Sequence, residues 1–169
     1  RRVLRMKFKL GLFDNPYLYC NKQREQNEIM TPEHLAFARD MARKSIVLLK
    51  NEDQTLPLSK EIKSLAVIGP LADNRRELIG SWSAAGDWTK AVTILEGIYG
   101  AVSPATKILY ARGCNINDDT VAFISDAVNK ARQADVVILV VGEAHWMSGE
   151  AACRSELGLP GVQQQLADA

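Results

Sequence analysis

Short runs of apolar residues along the chain predict strands that are buried in a sheet. Six consecutive apolar residues, Val136 to Val141, are typical of a strand buried on both faces of a parallel sheet. A second buried strand is predicted at Leu65–Ile68 and a third at Lys107–Tyr110. The run Ile46–Leu49 predicts a further, shorter strand.

Helix signals lie between and around these runs. Thr31, followed by Pro and Glu, predicts a helix start with a capping hydroxyl. Thr93 and Glu96 have the spacing of a capping box. Asp119 is predicted to cap another helix, and a last helix is predicted to start at Pro160. Strands that alternate with helices of this length indicate β-α-β units and a parallel sheet.

The first part of the chain carries weaker signals. Residues 1–13 are both basic and apolar, and their spacing suits a helix as well as a strand. Residues 14–30 are polar and lack a period, which is typical of a linker. The chain opens on Arg1 and ends inside a predicted helix that should lead to another strand. We therefore interpret it as a piece of a larger polypeptide.

Composition excludes several functional classes. The 169 residues allow one domain and the edge of a second, and the 47% hydrophobic content is that of an ordinary globular protein. A net charge of +1 removes a global electrostatic argument for nucleic acid or an anionic membrane surface as partner. No apolar run approaches the roughly 20 residues of a bilayer span. The chain has three cysteines, Cys20, Cys114 and Cys153, and they lack the spacing of metal ligands. Because their number is odd, they do not define a redox compartment.

Polar chemistry follows the longest apolar run. Glu143, His145 and Glu150 come after the predicted strand, where ligands bind in open α/β sheets. Glycoside hydrolysis needs two carboxyl groups, one as acid and one as nucleophile or base. The plainer interpretation is that both glutamates are exposed or salt-bridged loop acids, and that His145 is an ordinary loop histidine.

A second candidate segment carries two tryptophans. Trp82 and Trp88 lie in a glycine-containing loop of small residues, where large side chains are difficult to bury. Sugar rings present apolar C–H faces that stack on exposed aromatic planes, so the loop suits carbohydrate contact. The alternative is that both rings pack against a neighbouring domain.

Other catalytic patterns are missing or incomplete. Ser148-Gly149-Glu150 does not form the G-x-S-x-G turn of α/β hydrolases. Gly69-Pro70 follows a strand as a nucleotide-binding turn would, but the glycine pattern of that turn is absent. Asn115, Asn117 and Asp119 alternate like calcium ligands, yet no glycine or distal glutamate completes the loop.

The ordered set of motifs resembles glycoside hydrolase family 3, and within it the bacterial periplasmic β-glucosidases. The matching segments span nearly the whole chain in the order of the family. They are Arg1–Leu4 through Lys9–Tyr17, Ala42–Asn51 with Leu56–Leu58, Ala66–Asp73, Gly80–Ser83, and Gly142–Glu143 leading to Leu159–Gly161.

The resemblance implies a fold and a domain organisation. It implies an α/β class, with a three-layer α/β/α sandwich around a mainly parallel sheet that is truncated in this chain. Residues 1–15 would be the end of the catalytic barrel, with its last helix, and residues 16–31 a linker. Residues 32–169 would be the first part of the sandwich domain. The missing catalytic barrel of the same polypeptide is the implied partner.

The resemblance also implies a reaction and its residues. The family cleaves terminal β-linked glucosides or related sugars by a retaining double displacement, without a metal or cofactor. By motif position Glu150 is the expected acid/base, with Glu143 as second choice, and the nucleophile belongs to the barrel. Trp82 or Trp88 is expected at the aglycone subsite, with His145 and Arg154 as substrate-binding neighbours. The location implied is periplasmic or secreted.

Two other functions remain open on the sequence. The first is a non-catalytic carbohydrate-binding or inter-domain structural module that uses the tryptophan loop. The second is a nucleotide-binding domain, which lacks a phosphate cradle after Ile68.

Overall fold

The computed structural model describes residues 1–169, which divide into two compact units at residues 54 and 55. The first unit contains three helices: α1 (Arg2–Lys9), α2 (Lys22–Glu28) and α3 (Pro32–Ser45). The segment that suits helix and strand equally is therefore a helix, and the polar stretch after it contains a second one. No residue of this unit is buried.

Helix α3 begins where the sequence predicts it. Thr31 is the N-cap, and its hydroxyl accepts a hydrogen bond from the His34 N–H at 3.3 Å. The strand predicted at Ile46–Leu49 is wrong. These residues belong to no strand, because no other strand pairs with them. Their side chains are exposed.

The second unit is built on a parallel sheet of three strands. They are β1 (Ser64–Ile68), β2 (Lys107–Ala111) and β3 (Val136–Leu139), in the spatial order β2-β1-β3. Leu65 of β1 lies opposite Ile108 on one side and Val136 on the other. The helices are α4 (Ile94–Tyr99) between β1 and β2, α5 (Ile124–Ala131) between β2 and β3, and α6 (Gln163–Asp168) after β3.

Helices cover the sheet on both faces. Successive side chains of β1 point to opposite faces. Leu65 packs in one cluster with Leu95 of α4. Ala66 packs in the other with Ala127 of α5 and Leu166 of α6. The predicted α/β/α layering around a parallel sheet is confirmed.

The prediction for the longest apolar run needs a correction. Its strand, β3, spans four residues, lies at an edge of the sheet that residues 1–169 form, and has one face that is not buried. Val137 is 44% exposed and Leu139 37% exposed. Apolarity alone cannot place a strand in the order of a sheet, and the strand with neighbours on both sides is β1.

Helix starts match the sequence where the capping is local. Thr93 and Glu96 form both hydrogen bonds of a capping box, at 3.1 Å and 2.8 Å. Asp119 does not cap a helix, because α5 begins only at Ile124 and has no side-chain cap. Its neighbour Asp118 closes the local turn by accepting the Thr120 N–H at 2.9 Å. Helix α6 also begins later than predicted, at Gln163.

Candidate functional site

The candidate residues lie at the carboxyl ends of β1 and β3. These neighbouring strands are followed by the loops 69–93 and 140–162, in which all the predicted catalytic and substrate-binding residues are found. The chain leaves β1 for one edge of the sheet and later crosses to the other edge to form β3. Ligands bind at such a reversal of strand order in open α/β sheets.

A glycine allows the two loops to approach closely. Gly69 follows β1 with a φ of +128°, a conformation that L side chains rarely adopt. A Cβ at this position would lie 2.0 Å from the carbonyl oxygen of Val140. The Val140 N–H also donates to the Ile68 carbonyl at 2.7 Å. The start of one loop is therefore fixed against the start of the other.

The side chain of Gln163 binds the backbone that follows β3. Its side chain is fully buried. Its Oε1 accepts the Gly142 N–H at 2.8 Å, and its Nε2 donates to the carbonyls of Gly142 at 2.8 Å and Ile116 at 2.7 Å. The sequence analysis missed this residue, since a glutamine beside a helix start carries no signal of burial.

Glu150 lies at the tip of a tight turn. The Gly149 N–H donates to the Ala152 carbonyl at 2.9 Å and closes the turn around it. The glutamate is exposed, and its side chain has no hydrogen bond or ion pair within the chain. It lines a cleft of about 240 Å³ together with Ser81, His145 and Trp146. The predicted acid/base and the neighbour of Trp82 are thus brought to the same cleft.

Glu143 lies in a different environment. Arg154 donates to its carboxylate at 2.7 Å, and the Ser148 hydroxyl donates to its other oxygen at 3.1 Å. The hydrogen bond from Arg154 is the main cause that lowers the pKa of Glu143 below its usual range. Arg154 also donates to the Gly158 carbonyl at 3.0 Å. This predicted substrate-binding residue is therefore engaged in holding the loop.

His145 is paired with a glutamate that the sequence analysis did not single out. Glu77 lies in a short 3₁₀ turn, Glu77–Ile79, of the loop after β1. Its Oε2 lies 2.9 Å from Nδ1 of His145 and also accepts the backbone N–H of His145. Sixty-eight positions separate the two residues, so only the fold reveals the pair.

The aromatic residues differ in position. Trp82 is 73% exposed and directly follows Ser81 of the cleft. Trp88 is 45% exposed, begins the 3₁₀ turn Trp88–Lys90, and does not line the cleft. Trp146, to which the sequence analysis assigned no role, does line the cleft and is 56% exposed. Two exposed indoles are therefore at or beside the cleft.

Two further features concern ligands and membranes. No three His, Cys, Asp or Glu side chains are grouped so that they could hold a metal ion. None of the helices has the length and apolarity needed to cross a bilayer.

Comparison with known proteins places these observations in a family. Residues 46–169 match the model of the glycosyl hydrolase family 3 C-terminal domain. The chain belongs to glycosyl hydrolase family 3. This family 3 chain is 41% identical to a periplasmic beta-glucosidase of Salmonella typhimurium, over 98% of the chain and 25% of that relative. It is 40% identical to a beta-xylosidase of Formosa agariphila, over 99% of the chain and 24% of the relative.

Solved structures agree with the sequence relatives. A beta-glucosidase involved in saponin metabolism from intestinal bacteria superposes with a TM-score of 0.82 and 30% identity, over 99% of this chain and 26% of that one. A mutant beta-glucosidase of Listeria innocua in complex with laminaribiose gives a TM-score of 0.81 and 30% identity, over 98% of this chain and 22% of that one. The family 3 chain spans about a quarter of the length of its relatives.

Proposed function

We propose that this chain forms one side of the active site of a retaining glycoside hydrolase that cleaves terminal β-linked glucosides. Glu150 is the acid/base of the reaction, and the nucleophile belongs to a catalytic barrel of the same polypeptide. The observation that carries this proposal is the position of Glu150. It is an unpaired carboxyl group on a turn that lines a cleft at the switch point of the sheet.

The environment of Glu143 supports this assignment over the second choice. A general acid must hold a proton near neutral pH, which requires a raised pKa. The Arg154 guanidinium acts in the opposite direction, because it lowers the pKa of Glu143 and keeps that carboxyl ionised. Glu143 therefore serves as an anchor of the loop that carries Glu150.

The proposed steps follow from the two carboxyl groups. Glu150 donates its proton to the glycosidic oxygen while the barrel carboxylate bonds to the anomeric carbon and the leaving group departs. Glu150 then removes a proton from water, which attacks the anomeric carbon and releases the nucleophile. Retention requires carboxyl groups about 5–5.5 Å apart. This chain contributes one of the pair, so the chain alone should not turn over a β-glucoside.

The domain organisation is part of the proposal. Residues 1–15 end the barrel, residues 16–31 form the linker, and residues 32–169 begin the sandwich domain. The exposed apolar side chains of the first unit support this arrangement, since a larger domain would cover them: Val3, Leu4, Phe8, Phe13 and Tyr17. The name of the Salmonella typhimurium relative supports a periplasmic or secreted location.

The names of the relatives support the choice of sugar in this proposal. Both beta-glucosidases and beta-xylosidases are similar to this chain. The glucoside assignment rests on the Salmonella relative and on the solved beta-glucosidases. Trp82 would contact the aglycone, because it directly follows Ser81 of the cleft, although neither Trp82 nor Trp88 is itself a lining residue.

The test is substitution of Glu150 in the polypeptide that joins this chain to its barrel. Glu150→Ala should lower kcat on substrates with poor leaving groups by about 10²–10⁴-fold, the usual contribution of general acid catalysis. Azide should restore turnover of an activated aryl β-glucoside, because it attacks the glycosyl-enzyme without a general base. Glu143→Gln is the matched control. The ratio of its rates on substrates with poor and with activated leaving groups should equal that of the unaltered polypeptide.

A non-catalytic sugar-binding module is the second candidate, favoured by the exposed Trp82 and Trp146. It predicts saccharide binding by the 169-residue chain alone. It also predicts no change in hydrolysis when Glu150 is replaced. Unchanged hydrolysis would therefore reject the catalytic role and favour this alternative.

A further inference from the structure

Glu77 and His145 form a carboxylate–imidazole pair at the wall of the cleft. One oxygen of Glu77 receives both the backbone N–H of His145 and its ring nitrogen Nδ1, the latter at 2.9 Å. The Glu77 side chain is 13% exposed and that of His145 is 24% exposed. The N–H of Glu77 is bonded in turn to Oδ1 of Asn74 at 3.2 Å. The pair therefore joins the loop after β1 to the loop after β3.

The carboxylate determines which imidazole nitrogen carries the proton. An ionised carboxylate only accepts hydrogen bonds, so Nδ1 of His145 must donate to it. In a neutral imidazole the other nitrogen, Nε2, is then a hydrogen-bond acceptor. The carboxylate thus selects the tautomer as well as the orientation of the ring.

Nε2 is available to a ligand. It has no hydrogen-bond partner within the chain. It is not fully buried either, since the one fully buried side-chain nitrogen or oxygen without a partner belongs to Arg76. His145 lines the cleft that Glu150 lines, whereas Glu77 is not among the lining residues. Glu77 holds the ring through one nitrogen and leaves the other without a partner within the chain.

We propose that His145 accepts a hydrogen bond from a hydroxyl group of the leaving-group sugar, and that Glu77 positions it for this contact. The inference rests on the proposed function, in which Glu150 protonates the leaving oxygen. Groups that share a cleft with that acid then lie beside the leaving group. The pair would favour hydroxyl-bearing leaving groups, such as a second sugar, over apolar ones.

Glu77→Gln in the polypeptide with its barrel tests the inference. The glutamine has the same shape, and its carbonyl, in the place of Oε2, can still accept from the backbone N–H and from Nδ1 of His145. A neutral amide oxygen accepts these hydrogen bonds about half as strongly as a carboxylate, so glutamine holds the orientation and the tautomer of the ring less firmly. We expect kcat/KM for a β-linked glucose disaccharide to fall about two- to tenfold, the usual contribution of one hydrogen bond. Turnover of nitrophenyl β-glucoside, whose leaving group has no free hydroxyl, should be unchanged.

Histidine variants give an independent readout. His145→Phe removes both nitrogens and should cause the same selective loss. His145→Gln should retain more disaccharide activity, since its amide can reach the position of Nε2. His34, the other histidine of the chain, is exposed on α3, and His34→Gln is the matched control for both substrates.

The outcomes separate this inference from the function on which it rests. Equal losses on both substrates would show that Glu77 only holds the loop, and would overturn the inference. No loss in Glu77→Gln and His145→Phe would overturn it as well. If the unaltered polypeptide cleaved neither substrate, the proposed function would fall and the inference with it. Cleavage of both without a selective loss in the variants would overturn the inference alone.

Discussion

Replacement of Gln163 by leucine should destabilise the sandwich unit, although the two side chains have similar volumes. Leucine can fill the buried site, but it cannot form the three hydrogen bonds of the glutamine. The N–H and the carbonyl of Gly142 would lose their partner, as would the carbonyl of Ile116. The effect should therefore come from unpaired backbone groups and not from a cavity.

The size of the effect follows from those three groups. An unpaired polar group in the interior costs about 1–3 kcal/mol. Gly142 and Ile116 are only half-buried, so water can reach them in part and the lower value applies. Three groups at about 1 kcal/mol each give a loss of about 3 kcal/mol in the free energy of unfolding. With a urea dependence of about 2 kcal/mol per M, the unfolding midpoint should fall by about 1.5 M.

The assay is equilibrium urea unfolding followed by far-ultraviolet circular dichroism. Tryptophan fluorescence is a weaker probe, because Trp82, Trp88 and Trp146 are all exposed in the folded chain. The neighbouring Gln164 is a matched control, since it is exposed and bonds only to Asp168 on its own helix. Equal midpoints for the two leucine variants would refute the reasoning.

Two more predictions address the close approach of the loops and the buried thiol. Gly69→Ala should prevent stable folding, because the new Cβ would collide with the Val140 carbonyl and alanine rarely adopts this backbone conformation. Gly97→Ala is the control. Gly97 lies in a helix with open space around it, so this variant should leave the circular dichroism unchanged. Cys114 is buried and burial raises the pKa of its thiol, so a thiol reagent should modify two cysteines in the folded chain and the third only after denaturation. Equal circular dichroism for the glycine variants, or rapid modification of all three thiols, would contradict these expectations.

Local signals in the sequence predicted the elements well. The hydroxyls of Thr31 and Thr93 cap their helices because the groups that they bond are three residues away. The β1 and β2 strands were predictable from short apolar runs. A hydrogen bond between groups three residues apart forms within one helical turn, so it does not depend on the rest of the fold.

Signals that depend on neighbours failed. Ile46–Leu49 is as apolar as a strand, yet it has no strand to pair with. The run that contains β3 is the most apolar of the chain, yet β3 is an edge strand. Asp119 has a capping side chain, but no helix begins at that position. Pairing and burial are properties of two segments together, and one segment does not specify its partner.

The sequence predicted some features of the candidate site, and the tertiary structure alone revealed the others. From the sequence alone came the parallel α/β class, the family resemblance, and the prediction that Glu150 follows a strand in a ligand-binding loop. Only the tertiary structure joined Arg154 to Glu143, and Glu77 to His145. It also buried Gln163 beneath the exit of β3. Residue type and spacing act within a few positions, whereas these contacts arise when folding brings the ends of separate strands to one edge of the sheet.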